Sequence, residues 1–112
     1  MLFRSLAQIV ARAAGADGGT AGRDLLAALP VGALDGTLSD RYAGTSAAGT
    51  VRAKTGSLDQ TVSLTGTIVT ADGRLLAYSV IIDGFPEGGM WSARTAMDND
   101  LIVPLSGCGC RG

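Results

Sequence analysis

Histidine is absent from the sequence, and lysine occurs once, as Lys54. Without an imidazole there is no Ser-His-Asp triad, no Cys-His nucleophile and no His-ligated zinc. The remaining cations are arginines scattered along a chain of net charge −1. No basic run points to nucleic acid or to an anionic membrane surface. Aromatic residues make up 4% of the chain, so the core must be built from Ala, Leu, Val and Ile. No apolar run approaches the length of a spanning helix, so no transmembrane segment is predicted. The N-terminus, MLFRSLAQIVARAAG, is broken by Arg4, Gln8 and Arg12 and lacks the uninterrupted apolar centre of a secretory signal. Cysteine occurs only as Cys108 and Cys110, a C-x-C near the C-terminus, too few thiols for a tetrahedral metal site. They read either as thiols on a frayed tail or as a disulfide, within the tail or to another chain, which implies an oxidising compartment. Seventeen glycines in 112 residues raise the entropy lost on folding, so the chain alone is expected to be marginally stable.

What is present divides into a helical segment (1–49), a sheet (50–83) and a closing helix with its tail (84–112), an α+β arrangement. Leu2, Phe3, Leu6, Ile9, Val10 and Ala13 recur at helical spacing and predict an amphipathic helix. GADGGTAG (15–22) reads as a loop, and RDLLAALP as a short helix with Leu25, Leu26 and Leu29 on its apolar face, stopped before Pro30. An Asp35-Gly36 turn follows. Thr37 and Asp40 resemble a capping pair for a helical turn running through Tyr42 and ended by Gly44.

From residue 50 the apolar period falls to two. TVRAKTG is a strand, and TVSLTGTIVT (61–70) sets Val62, Leu64 and Ile68 against Thr61, Ser63, Thr65 and Thr67. Asp72-Gly73 is the hairpin signal that joins it to LLAYSVIID (75–83), a strand apolar on both faces and so expected to be covered on both. The three strands predict an antiparallel meander. GFPEGG (84–89) is a loop. Trp91, Met97 and Leu101 mark the apolar face of a closing helix, weakened by Asp98–Asp100 and ended by Pro104 and Gly107.

Lys54-Thr55-Gly56 on a strand before a hairpin has a chemical use. An extended strand presents backbone N–H groups in a row, against which a peptide can lie as an added strand. The lysine supplies a positive field, the threonine hydroxyl can hold a carboxylate, and glycine leaves room for a ligand. At this point the sequence resembles the penicillin-recognising serine acyltransferases, whose third motif is K-T-G.

More closely, DGTLSDRYAGTSAAGTVRAKTGSLDQTVSLTGTIVTADGRLLAYSVIIDG is similar to the C-terminal stretch of the D-alanyl-D-alanine carboxypeptidase/endopeptidase family, the class C low-molecular-mass penicillin-binding proteins. The likeness covers 30–84 strongly, continues through 85–112, and holds for 1–29 in character only. It implies a single partial domain over 1–112, part of a β-lactamase/transpeptidase-like fold in which the strand at 75–83 normally pairs with a further one. It also implies roles. Lys54 aids the proton network and substrate binding, Thr55 holds the terminal carboxylate of a D-Ala-D-Ala peptide or of a β-lactam, and Gly56 keeps the cleft open. The backbone N–H of Ser57 forms half of an oxyanion hole, a donor worth about 3 kcal/mol in the transition state. No cofactor or metal is called for. The family works on peptidoglycan outside the cytoplasmic membrane.

The family's other two motifs, S-x-x-K and S-x-N, are not in these residues. Three positions before Lys54 stands Val51, and two before Asn99, the one asparagine, stands Met97. No nucleophile is present, and acyl transfer needs an activated hydroxyl beside a base. The 112 residues are therefore expected to be inert alone, as the C-terminal part of a serine-type carboxypeptidase. The alternatives are a non-catalytic module that binds peptides through an open sheet edge, or an interaction protein linked through its cysteines. The strand at 75–83 is the candidate surface for self-association.

Overall fold

A computed structural model describes residues 2–34 and 36–108. Helices α1 (Leu2–Ala14) and α2 (Gly19–Ala28) form a hairpin, followed by a winding segment with a short 3₁₀ turn at Gly36–Leu38. Strands β1 (Val51–Leu58), β2 (Thr61–Val69) and β3 (Leu75–Asp83) make one antiparallel sheet in the order β1-β2-β3. The last helix runs from Met90 to Ser106 in three pieces: α3 (Met90–Ala96), a π-helical stretch (Met97–Ile102) and α4 (Val103–Ser106). The predicted α+β meander, with helices before it and one after, is what forms.

Alternation in β2 sorts the layers. Val62, Leu64 and Ile68 pair with Ile82, Val80 and Leu76 on β3, while Val51 and Ala53 on β1 fall on the same face. That face packs on Leu38, Tyr42 and Ala47 from the winding segment and on Ala93, Met97 and Ile102 from the last helix. Leu38, Leu64, Ile68 and Ile102 have no exposed surface, and burying each contributes about 1.5–3 kcal/mol. The other face carries Arg52, Lys54, Gly56 and the hydroxyls of β2. There α2 approaches the Arg52–Thr67 end of the sheet through Arg23, Leu26 and Ala27, and α1 packs on α2 and along β3. Among the described residues no helix is long and apolar enough to cross a membrane.

Several local expectations change. Helix α2 begins at Gly19, inside the segment read as loop. The reason is the hairpin packing: a Cβ on Gly22 would lie 2.6 Å from the carbonyl oxygen of Ala13, so the small residues that lower helix propensity are those that let α1 and α2 meet. Of the stripe on α1, Val10 and Ala13 are buried, while Leu6 and Ile9 are exposed. Leu25 on α2 is likewise exposed. The stop before Pro30 holds: Leu29 is extended, as a residue before proline prefers. The turn at Thr37 is complete by Leu38, and Tyr42 sits at φ 70°, in the left-handed region. Asp35 lies outside the described residues.

Thr70, Asp72 and Gly73 build the second hairpin. The Thr70 N–H donates to Arg74 O at 2.9 Å, Gly73 N–H donates to Thr70 O at 2.9 Å, and the Thr70 hydroxyl bonds the Asp72 carboxylate. Strand β3, expected to be covered on both faces, is covered only in part: Tyr78 is buried, while Leu75, Ile81 and Asp83 are exposed, and among the described residues β3 is an edge strand.

The last helix buries Ala93, Met97, Ile102 and Ser106. The expected Trp91–Met97–Leu101 face is thus wrong in two of its three members, for Trp91 and Leu101 are exposed. The step from Met97 to Ile102 is five residues, set by the π-helical turn, where Val103 N–H donates to Asp98 O. Pro104 does not stop the helix. It occupies the first turn of α4, where its missing N–H costs little. Cys108 is disulfide-bonded, so the reading of the tail as free thiols does not hold for it; Cys110 lies outside the described residues.

Candidate functional site

The outer edge of β1 is covered by residues 30–32 over its first half, up to the K-T-G motif. Gly32 N–H donates to Val51 O at 2.9 Å and Ala53 N–H donates to Pro30 O at 3.0 Å, with a bridge between Val31 and Arg52. Residues 51 and 53 therefore direct their backbone groups away from β2. In an antiparallel ladder this direction alternates residue by residue. Arg52, Lys54 and Gly56 bond inward to Thr67, Thr65 and Ser63, while Thr55 and Ser57 direct N–H and C=O outward, beyond the reach of the 30–32 segment. The stretch that the sequence suggested for peptide docking thus has two outward-facing residues, next to the Leu58–Thr61 turn.

Side chains alternate as well. Lys54 and Gly56 lie on the face of the β2 hydroxyls, and Thr55 and Ser57 on the core face. Lys54 and Thr55 nevertheless converge, because the exposed lysine folds around the rim. Its Nζ donates to Thr55 O at 3.0 Å and lies 3.5 Å from Thr55 Oγ1. The result is a cation and a hydroxyl side by side on an outward-facing backbone, which suits a carboxylate at the end of an extended peptide. Gly56 has a reason beyond an open cleft: a Cβ there would lie 2.5 Å from Ser63 Oγ.

A second polar cluster was not read from the sequence. Asp98, on the last helix, accepts from Arg41 Nε at 2.9 Å, from Arg41 Nη2, and from the Tyr42 hydroxyl at 2.6 Å. The Arg41 guanidinium also lies 5.3 Å from the Tyr42 ring centre. Asp98 had counted as a weakness in the helix. It is the anchor that holds the winding segment against it, and it holds Tyr42 in a left-handed conformation that costs about 1–3 kcal/mol. Burial opposes the charge on Arg41, but its hydrogen bond to the Asp98 carboxylate and the neighbouring groups outweigh it, so its pKa is raised. Burial, then the Asp98 hydrogen bond, push the Tyr42 phenol well above the usual range. Burial does the same to Tyr78, whose hydroxyl has no hydrogen-bond partner among the described residues. A cavity of about 450 Å³ opens beside this cluster, lined by Asp40, Trp91, Arg94 and Asn99 among others. No residue from Lys54 to Ser57 lines it.

The profile of the D-Ala-D-Ala carboxypeptidase 3 (S13) family matches residues 3–101, and the chain belongs to that family. The match takes in α1 and α2, where the sequence had shown likeness of character only. Carboxypeptidase DacB of Mycolicibacterium smegmatis is 42% identical over 92 residues, 79% of this chain and 19% of that protein. Carboxypeptidase Rv3627c of Mycobacterium tuberculosis is 38% identical over 92 residues, with the same shares. Penicillin-sensitive carboxypeptidase A of Dictyostelium discoideum is 52% identical over 46 residues, 41% of this chain and 9% of that protein. The chain thus spans 19% of the length of the first two relatives.

Proposed function

We propose that these residues form the C-terminal wall of the substrate cleft of a serine-type D-Ala-D-Ala carboxypeptidase acting on peptidoglycan stem peptides. The observation that carries the reading is the edge of β1, closed by residues 30–32 up to Ala53 and turned outward at Thr55 and Ser57, with Lys54 Nζ folded onto it. The peptide lies along this edge as an added strand. Thr55 holds its terminal carboxylate, Lys54 supplies positive charge, and the Ser57 N–H donates to the oxyanion that forms as the scissile carbonyl is attacked. The attacking serine and its lysine come from outside residues 1–112, since neither S-x-x-K nor S-x-N occurs in them. The same edge takes a β-lactam. The substrate places the site of action outside the cytoplasmic membrane.

The test is to incubate the purified 112-residue chain with a fluorescent penicillin and, separately, to titrate it with an N-acylated tripeptide ending in D-Ala-D-Ala. No covalent adduct is expected by mass spectrometry, and saturable peptide binding is expected to weaken on Thr55→Ala. A stoichiometric adduct refutes the assignment of the nucleophile to other residues. The outer edge of β3 favours a second reading, a non-catalytic interaction module that also self-associates there: no strand among the described residues pairs with it, and Leu75 and Ile81 are exposed. Peptide binding indifferent to Thr55→Ala would favour that reading.

A further inference from the structure

The register of β2 places one hydroxyl beside the glycine of the K-T-G motif. Four hydroxyl residues, Thr61, Ser63, Thr65 and Thr67, alternate along the Lys54 face of this strand. Thr61 donates to Asp83 at 2.6 Å, and Thr65 shares a hydrogen bond with Ser79 at 2.8 Å. Ser63 stands between them, facing Ile81 on one neighbouring strand and Gly56 on the other. Neither cross-strand neighbour has a polar side chain to engage it. Its Oγ instead leans over Gly56, within 2.5 Å of where a Cβ would be. The glycine leaves room beside the first strand for a hydroxyl of the second.

Resting on the cleft reading above, we propose that Ser63 is a specificity-determining residue that helps to select a ligand ending in a carboxylate. Thr55 presents its hydroxyl from the core face of β1 and Ser63 presents one from the opposite face, across Gly56. A carboxylate at the rim has two oxygens to receive them. The Lys54 ammonium, 3.0 Å from Thr55 O, supplies the charge, and hydrogen bonds to an ionised acceptor are the stronger kind.

The experiment compares an N-acylated tripeptide ending in D-Ala-D-Ala with its C-terminal amide, both titrated into the full chain and into Ser63→Ala, with folding of each variant checked by circular dichroism. The wild type is expected to prefer the acid. Ser63→Ala is expected to lose about 5-fold in affinity for the acid, the effect of one hydrogen bond, and to bind the amide as the wild type does. Gly56→Ala, which displaces the same hydroxyl by a different route, is expected to reduce the preference as well. A wild type that binds neither peptide overturns the cleft reading together with this inference. A wild type that prefers the acid, with that preference intact in Ser63→Ala, overturns the role of Ser63 alone.

Discussion

Removing the Asp98 carboxylate tests whether the contact between the winding segment and the last helix stabilises the fold. Asp98 accepts two hydrogen bonds from Arg41 and one from Tyr42, and the ion pair is 15% and 17% exposed on its two sides. Asp98→Ala leaves a largely buried guanidinium unpaired, beside a phenol that has lost its acceptor and near the unpartnered Tyr78 hydroxyl. Breaking a buried pair from one side costs about 3–5 kcal/mol. Residual solvent contact reduces that, so a loss of about 2–3 kcal/mol is expected, a large share of what so small a domain has. The midpoint of thermal unfolding should fall by roughly 10 °C. Removing both charges, as Arg41→Met with Asp98→Leu, should recover part of the loss, because no unpaired ion remains. Urea unfolding followed by far-UV circular dichroism is the assay, since Trp91 is exposed and a poor reporter of the core. A loss below about 0.5 kcal/mol, the worth of a solvated surface pair, would refute the reasoning.

Two further outcomes follow from the geometry. Gly56→Ala should cost the fold less than about 1 kcal/mol, because the atom it meets is the end of a Ser63 side chain that can rotate away; a loss of several kcal/mol would mean the strands themselves cannot accommodate it. At high pH the two buried phenols should destabilise the fold. Both pKa values lie above their unfolded value, so the stabilisation is complete below about pH 10, where a free tyrosine titrates, and is lost as pH rises beyond it. Tyrosinate absorbance should appear together with unfolding, and ionisation of both phenols near pH 10 in the intact fold would contradict the burial argument.

The sheet was legible because its signals are local and repeat. Two-residue alternation in 61–69, the Asp72-Gly73 turn and the apolar run at 75–83 each depend on neighbours in the chain, and the three strands lie where they were expected. Helix boundaries and faces were less so. The glycines of 15–22 read as a breaker, yet Gly22 is the point where two helices touch. The five-residue step from Met97 to Ile102 turns the last helix by an amount that a fixed 3.6-residue period does not contain.

From the sequence alone came the family, the Lys54-Thr55-Gly56 motif and the lack of an attacking serine beside a lysine, since these are matters of residue identity and spacing. Only the tertiary structure decided how far residues 30–32 cover the edge of β1, which face each side chain of the motif takes, and that Asp98 joins the last helix to Arg41 and Tyr42. Those facts depend on strand register and on contacts between residues as far apart as Arg41 and Asp98. Pairings over such distances are fixed by packing the whole chain at once, and no short stretch of sequence encodes them.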